Sequence, residues 1–286
     1  MSEPSLVTHV SDTARWVAMY RAYETERPDA IFRDPYARRL AGPLGERIAA
    51  AMGGRRAAWP MIVRTAVLDE IILRMVRDGT DTVLNLAAGL DTRPWRLDLP
   101  ASLTWVDVDY PAMHDYKRQA MRDEPPRCRV EWSAMDLADR AARRALFARV
   151  GAASRRTLVV SEGLLVYLDA EVVRQLASDL HEPPAFRHWL LDLASPRLLE
   201  WLARRNMGRW TAAGGAPMKF GPAEGTAFFG PSGWREVEWR STGEEGHRLG
   251  REMPGAWLWR LLWLVSSARR REAWRRFAGN ALLERT

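Results

Sequence analysis

A chain of 286 residues is long enough for one α/β domain carrying an appended helical cap. Apolar residues at 47% and charged residues at 28% exclude wholesale disorder and a collagen-like repeat, and the single cysteine, Cys128, can build neither an internal disulfide nor a zinc cluster. The net charge of +7 sits mostly in residues 251–286, with eight arginines against three glutamates there, so the chain lacks the basic, aromatic-interleaved stripe of a nucleic-acid surface.

The first eighty residues read as a helical cap. Ser11 or Asp12 would cap a helix running to Glu26, with Trp16, Met19, Tyr20 and Tyr23 at helical spacing. Arg27-Pro28-Asp29 ends it, Asp34-Pro35 opens another, and Gly42-Pro43 and Gly53-Gly54 are further breaks. Residues 61–77 form an amphipathic helix. The period then changes. Short apolar runs at 82–86, 103–108, 129–133, 157–160 and 187–192 read as strands, with helices at 140–150 and 171–180 between them. This alternation predicts a doubly wound, mostly parallel sheet. Residues 196–225 are rich in Trp, Arg and Gly and read as an insertion before a sixth strand at 234–240; residues 281–284 would be a last, short edge strand. The expected organisation is a single domain over 1–286. Its parts would be a cap at 1–80, a core at 81–194, an insertion at 195–230, and C-terminal strands and helices at 231–286.

Residues 1–12 lack an apolar signal core, and the longest apolar stretch, 256–268, is too short to span a bilayer and contains Arg260. The expectation is a cytoplasmic monomer or homodimer, with no membrane span and no nucleic-acid partner. All but Lys117 and Lys219 of the 43 basic residues are arginine, which reads as codon composition. Pairs such as Arg38-Arg39 and Arg155-Arg156 read as solvated helix faces.

Ligands of open α/β sheets bind at the carboxyl ends of the strands. The first strand ends in Ala87-Ala88-Gly89-Leu90-Asp91, small residues that permit close backbone approach, without the G-x-G-x-x-G of nicotinamide proteins. About 20 residues on stand Asp107 and Asp109, where a carboxylate can accept both ribose hydroxyls. Asp136 follows the third strand and can accept from an exocyclic amine; Glu162 follows the fourth. Acid after acid suits a ligand with hydroxyls, an amine and a positive centre, and repels a pyrophosphate. That favours S-adenosylmethionine over a dinucleotide.

These same residues carry a resemblance. Asn85-Leu86-Ala87-Ala88-Gly89-Leu90-Asp91-Thr92-Arg93 resembles the N-L-G-A-G-L-D-T-R signature of the leucine carboxyl methyltransferase family, which includes bacterial polyketide O-methyltransferases of the tetracenomycin type. Val106-Asp107-Val108-Asp109-Tyr110-Pro111, with Lys117 beyond it, resembles the second motif of that family. Ser161-Glu162-Gly163 through Tyr167-Leu168 resembles its S/A-E-G-x-x-x-Y-L motif, and the stretch from Glu24 to Pro35 resembles the N-terminal motif of the bacterial branch. The resemblance spans roughly residues 12–240 and implies a Rossmann-like class I methyltransferase sheet of seven strands, mostly parallel with an antiparallel last strand, binding S-adenosylmethionine and releasing S-adenosylhomocysteine.

It further implies that Arg64 pairs with the methionine carboxylate and that Ala87 and Gly89 line the methionine portion. Asp109 would hold the ribose, with Asp107 as its rival, Asp136 and Leu137 would frame the adenine, and Glu162 would accept from the ammonium. Arg15 falls near a further basic contact. Ala87 departs from the usual glycine, so its methyl would narrow the approach to the cofactor.

Methyl transfer from a sulfonium is an in-line displacement whose main demand is alignment in a dry site, so no metal is expected. A carboxylate acceptor needs no general base, whereas a hydroxyl benefits from one. None of His9, His114, His181, His188 and His247 stands out, the last lying in a Gly/Glu-rich loop, and the catalytic base is unassigned. Tyr167 is a candidate substrate contact. Fourteen tryptophans suggest an aromatic lid of Trp201, Trp210 and Phe228-Phe229, opposite a wall of Trp16, Tyr20 and Tyr23. The reading is an O-methyltransferase acting on a carboxylate or hydroxyl of a small natural product. The rivals are an RNA methyltransferase, a non-catalytic cofactor-binding scaffold and, last, a nicotinamide dehydrogenase.

Overall fold

The computed structural model describes residues 11–204, 217–257 and 266–286. His9, Trp210, Trp259, Arg260 and Trp263 lie outside the described residues. Four helices come first: α1 (Asp12–Thr25), α2 (Ala37–Ala51), α3 (Gly54–Ala57) and α4 (Trp59–Arg77). Strand and helix then alternate through β1 (Thr82–Leu86), α5 (Arg93–Arg96), β2 (Thr104–Asp109), α6 (Pro111–Met121), β3 (Arg129–Ala134), α7 (Arg140–Ala153), β4 (Thr157–Ser161), α8 (Ala170–His181) and β5 (Phe186–Ala194). After α9 (Pro196–Ala203), the chain closes with β6 (Trp234–Ser241), the helices Thr242–Arg248 and Ala268–Arg275, and β7 (Ala278–Arg285).

The strand order is β3-β2-β1-β4-β5-β7-β6, with the first five parallel and β7 antiparallel to both neighbours. This is the class I methyltransferase sheet. One detail differs from expectation. The segment 281–284 is no edge strand but the middle of β7, inserted between β5 and β6. Its alternate residues serve two cores, which is why it must be interior: Leu283 and Ala281 pack with Trp189, Phe229 and Trp234, whereas Leu282 packs with Leu190 and the α4 side. The edge is β6, blunted by a register irregularity between Glu236 and Glu238 and by outward charges.

One face of the sheet is covered by α7 and α8 through Leu146, Phe147, Val150, Val173, Leu176 and Leu180. The other is covered by α4 through Val63, Val67, Ile71 and Ile72, against Trp105, Leu158 and Val160. The cap has its own core of Trp16, Met19, Tyr20, Leu40 and Ile48, which continues onto Leu90, Trp95 and Met113. Within α2 the Gly42-Pro43 break is a kink, Gly42 taking φ +59°. Gly45 lets α1 and α2 touch, since a Cβ there would sit 2.7 Å from the Arg15 carbonyl oxygen.

The expected cap at the start of α1 is absent: Ser11 occupies the N-cap position but makes no side-chain capping bond. The expected loop around His247 is the helix Thr242–Arg248, with His247 Nδ1 3.3 Å from Glu252. No helix among the described residues is long and apolar enough to cross a membrane.

A buried ion pair fastens the cap to the C-terminal part of the chain. The Arg251 guanidinium donates to both Glu24 carboxylate oxygens, at 2.7 and 2.9 Å, with both residues buried. Removing one partner of such a pair strands the other charge, at a cost of about 3–5 kcal/mol. Arg251→Met should therefore lower unfolding stability by about that amount in a urea titration; an unchanged midpoint would show that the clamp carries no load.

Candidate active site

Parallel register brings Leu86, Val108 and Ser161 level, so the turns after β1, β2 and β4 meet along one edge of the sheet. Above them lies a cavity of about 1640 Å³, walled by these turns, by α1 and α4, and by the chain beyond β5. Ala87 opens the first turn at φ +52° and Gly89 follows at +49°. Ala87 is the one non-glycine residue with positive φ among those described. The turn brings the Gly89 N–H to the Asp109 carboxylate at 2.7 Å, and the Tyr110 N–H binds the other oxygen at 2.7 Å. Burial raises the Asp109 pKa even against these two bonds.

Asp107 points from the same side of β2 as Asp109 but two residues deeper, beneath the turn rather than beside it. Its carboxylate accepts from Lys117 at 2.6 Å and from the Trp105 indole at 2.8 Å, and it is absent from the cavity wall. Of the two rivals, only Asp109 reaches the cavity. Asp136 stands exposed at its rim, accepting from the Ala138 N–H at 2.9 Å, with Leu137 and Tyr110 beside it in the wall. The Tyr110 hydroxyl hydrogen-bonds Asp136, and burial and that carboxylate both raise its pKa.

Arg64 and Glu162, expected to meet the carboxylate and the ammonium of one amino-acid group, also contact each other, Nε to Oε1 at 2.9 Å. The second Glu162 oxygen accepts from Arg93 at 2.8 Å, and Arg64 also reaches Asp192 at 3.1 Å. Arg93 in turn binds Asp69 and Asp91, each at 2.7 Å, and Arg96 shares Asp69. Burial alone would raise the Glu162 pKa, but Arg93 and Arg64 outweigh it and hold the carboxyl below its usual range; Arg93 and Lys117 do the same for Asp91. Both stay ionised at neutral pH inside a largely dry site. Asp192 also accepts from the Gly163 N–H at 2.6 Å, fixing the turn that carries Glu162.

Sequence reasoning gave Asp192 and Arg93 no role. The signal for Asp192 was available: it closes the fifth strand expected from the sequence, at the sheet edge where Asp136 and Glu162 follow theirs. Tyr167 lines the cavity, where burial raises its pKa despite a bond with Thr13. Trp201, 47% exposed, lies on the rim. Tyr20 and Tyr23 are not in the wall. Tyr20 is fully buried in the cap core and donates to the Met52 carbonyl, and Tyr23 lies under the Arg55 guanidinium. Trp16 and Val17 present the face of α1 that does reach the cavity. Phe228 and Phe229 form no lid; they pack edge-on to each other and to Phe220, in the core under β5 and β6. Arg15 lies over the Tyr116 ring, outside the wall.

An alanine in the left-handed region costs about 1–2 kcal/mol, which glycine does not incur. Ala87→Gly should therefore raise the melting temperature, the gain being about 0.5–1 kcal/mol after the entropy of the freer unfolded chain is counted. A lower melting temperature would mean that the Ala87 methyl has a packing role greater than its backbone strain.

Residues 14–181 match the leucine carboxyl methyltransferase family. A Mycolicibacterium smegmatis protein named as an S-adenosyl-L-methionine-dependent methyltransferase is 32% identical over 232 residues, covering 74% of this chain and 76% of its own. A Mycobacterium bovis BCG protein of the same name is 30% identical over 277 residues, covering 88% of this chain and 84% of its own. Among solved structures, a DUF574-family protein from Streptomyces avermitilis superposes with a TM-score of 0.57 at 16% identity, over 94% of this chain and 97% of that one, a likeness of fold. With more than half its length matched to the family and close relatives aligned across most of it, the chain belongs to the leucine carboxyl methyltransferase family.

Proposed function

We propose that the protein transfers a methyl group from S-adenosylmethionine to an oxygen, carboxylate or hydroxyl, of a small natural product of polyketide or peptide character. By its family and its relatives, the chain is an S-adenosylmethionine-dependent methyltransferase. The bacterial polyketide branch is favoured by the Glu24 to Pro35 motif.

The residues present fit the cofactor. A nucleoside needs a carboxylate beside a close backbone turn, and Asp109 against Gly89 supplies both; a Cβ at Gly89 would crowd Ala14 at 3.1 Å. Asp136, Leu137 and Tyr110 offer an acceptor and flat apolar surface for an adenine. Arg64, Glu162 and Asp192 offer both charges to a zwitterionic amino acid. When bound, the cofactor supplies a methyl on a positively charged sulfur. The protein binds and orients the two partners, and the apolar wall keeps water away.

The observation that carries this reading is the two-ended cavity. At about 1640 Å³ it exceeds the roughly 300–1,000 Å³ of a site for one drug-sized ligand, leaving room for an acceptor beside the cofactor. Its charged end lies over β1, β2 and β4. Its other end mixes Trp59, Trp201, Met253 and Trp274 with Arg197, Glu244 and Arg275, which suits an aromatic acceptor that also carries polar groups. Carboxylates along the charged end oppose a pyrophosphate, which weighs against a nicotinamide dinucleotide.

Calorimetric titration tests the cofactor directly. S-adenosylmethionine should bind and NAD should not, and Asp109→Ala should weaken binding at least tenfold. Binding of NAD alone, or no binding of either ligand, would overturn the reading.

A further inference from the structure

Asn280 lies in the wall of the cavity, near the amino end of β7, and is 1% exposed. Neither its amide nitrogen nor its amide oxygen has a hydrogen-bond partner. Among the described wall residues it is the one that leaves both a donor and an acceptor unmatched. Buried polar groups are nearly always paired, and an unmatched amide costs stability. Asparagine is also a poor strand former, and this one sits in a strand otherwise built of Ala, Gly and Leu toward the core.

Its neighbours do not satisfy it. Directly across the sheet are Asp192 on β5 and Arg240 on β6, which share its face. The Asp192 carboxylate is taken by the Gly163 N–H and by Arg64. The Arg240 guanidinium is taken by Glu245 and Glu70. Asn280 is therefore one strand beyond Asp192, on the side away from β1, β2 and β4.

We propose that Asn280 is the residue that recognises the methyl acceptor, and that it takes a neutral planar group presenting a hydrogen-bond donor and acceptor side by side, such as a carboxamide, lactam or hydroxy-carbonyl. The assignment rests on the methyltransferase reading above. A primary amide matches such an edge with two parallel hydrogen bonds. A carboxylate only accepts, so it would leave the Asn280 oxygen unmatched and stand one strand from the Asp192 charge. The inference thus narrows the acceptor: the group held at Asn280 is a neutral donor–acceptor edge, and the methylated oxygen belongs to a molecule that carries one.

The test uses full-length protein saturated with S-adenosylhomocysteine, with salicylamide as a donor–acceptor probe and benzoate as an accept-only probe, followed by calorimetry or ligand-observed NMR. Wild type should bind salicylamide at least tenfold more tightly than Asn280→Leu, with Asn280→Asp also weakened and benzoate affinity changed less than twofold between wild type and Asn280→Leu. Without ligands, Asn280→Leu should melt at or above the wild-type temperature, because it removes an unmatched amide. Salicylamide affinity that is absent in wild type or equal in all three proteins would overturn the assignment, as would a lower melting temperature for Asn280→Leu with Asn280→Asp unchanged in binding. Failure of wild type to bind S-adenosylhomocysteine would instead overturn the underlying reading, so the two failures are distinguishable.

Discussion

Arg93 is the constraint on which the site depends. A single buried guanidinium binds Asp69 on α4, Asp91 in the turn after β1 and Glu162 after β4. The helix before β1, the turn after it and the turn after β4, 69 residues on, are thereby held to one point. A guanidinium suits this task because its donors form a rigid planar fork and its charge is never lost. An isolated carboxylate buried at Glu162 would take up a proton. Between Arg93 and Arg64 it stays charged, and so remains able to meet a cation. The network also fixes orientation, since Arg64 is shared between Glu162 and Asp192, and Asp192 holds the Gly163 N–H.

The sheet supplies the rest by register. Because β1, β2 and β4 run parallel and in step, each strand delivers its following residue to the same edge. The antiparallel β7 enters from the opposite direction and brings Gly279 and Asn280 to that edge from its amino end, beside Asp192 and Ser241. The cavity thus runs along the sheet edge: charged turns lie over β1, β2 and β4, and the β5–β7–β6 part mixes aromatic and apolar residues with Asp192, Glu244, Arg275 and the unmatched Asn280 amide. The cap closes the top, and its α1 reaches the cavity through Thr13, Ala14, Trp16 and Val17.

Much of this was legible in the sequence, for local reasons. Apolar runs ending in small or acidic residues located the parallel strands and their functional ends, because strand period and strand-end chemistry are both short-range signals. The choice between Asp107 and Asp109 was not legible, since the two project from the same side of β2; Lys117 and the Trp105 indole engage the deeper one, and the Gly89 and Tyr110 N–H groups the outer one. Tyr20, Phe228 and Phe229 were misplaced because an aromatic residue at helical or insertion spacing reads the same whether it fills a core or lines a ligand cavity. The position of β7 was hidden for a different reason. Its burial on both faces depends on pairing with β5, about ninety residues earlier in the chain, and that long-range contact is what carries Asn280 to the cavity. His247 read as a loop residue because Gly243 and Gly246 weaken a helix, but Gly246 is required there: a Cβ would lie 2.9 Å from the Arg251 carbonyl oxygen.

The central claim is that Arg93 acts on ligand binding through Glu162, as a positioning residue. It is tested most directly by a double-mutant cycle on S-adenosylhomocysteine affinity, using Arg93→Met, Glu162→Gln and the double variant, each confirmed folded by circular dichroism. The account predicts strong non-additivity, the double variant binding no more weakly than Glu162→Gln alone. Losses that add across the two positions would contradict it, and would mean that Arg93 touches the ligand by itself or that the network does not hold Glu162 in place.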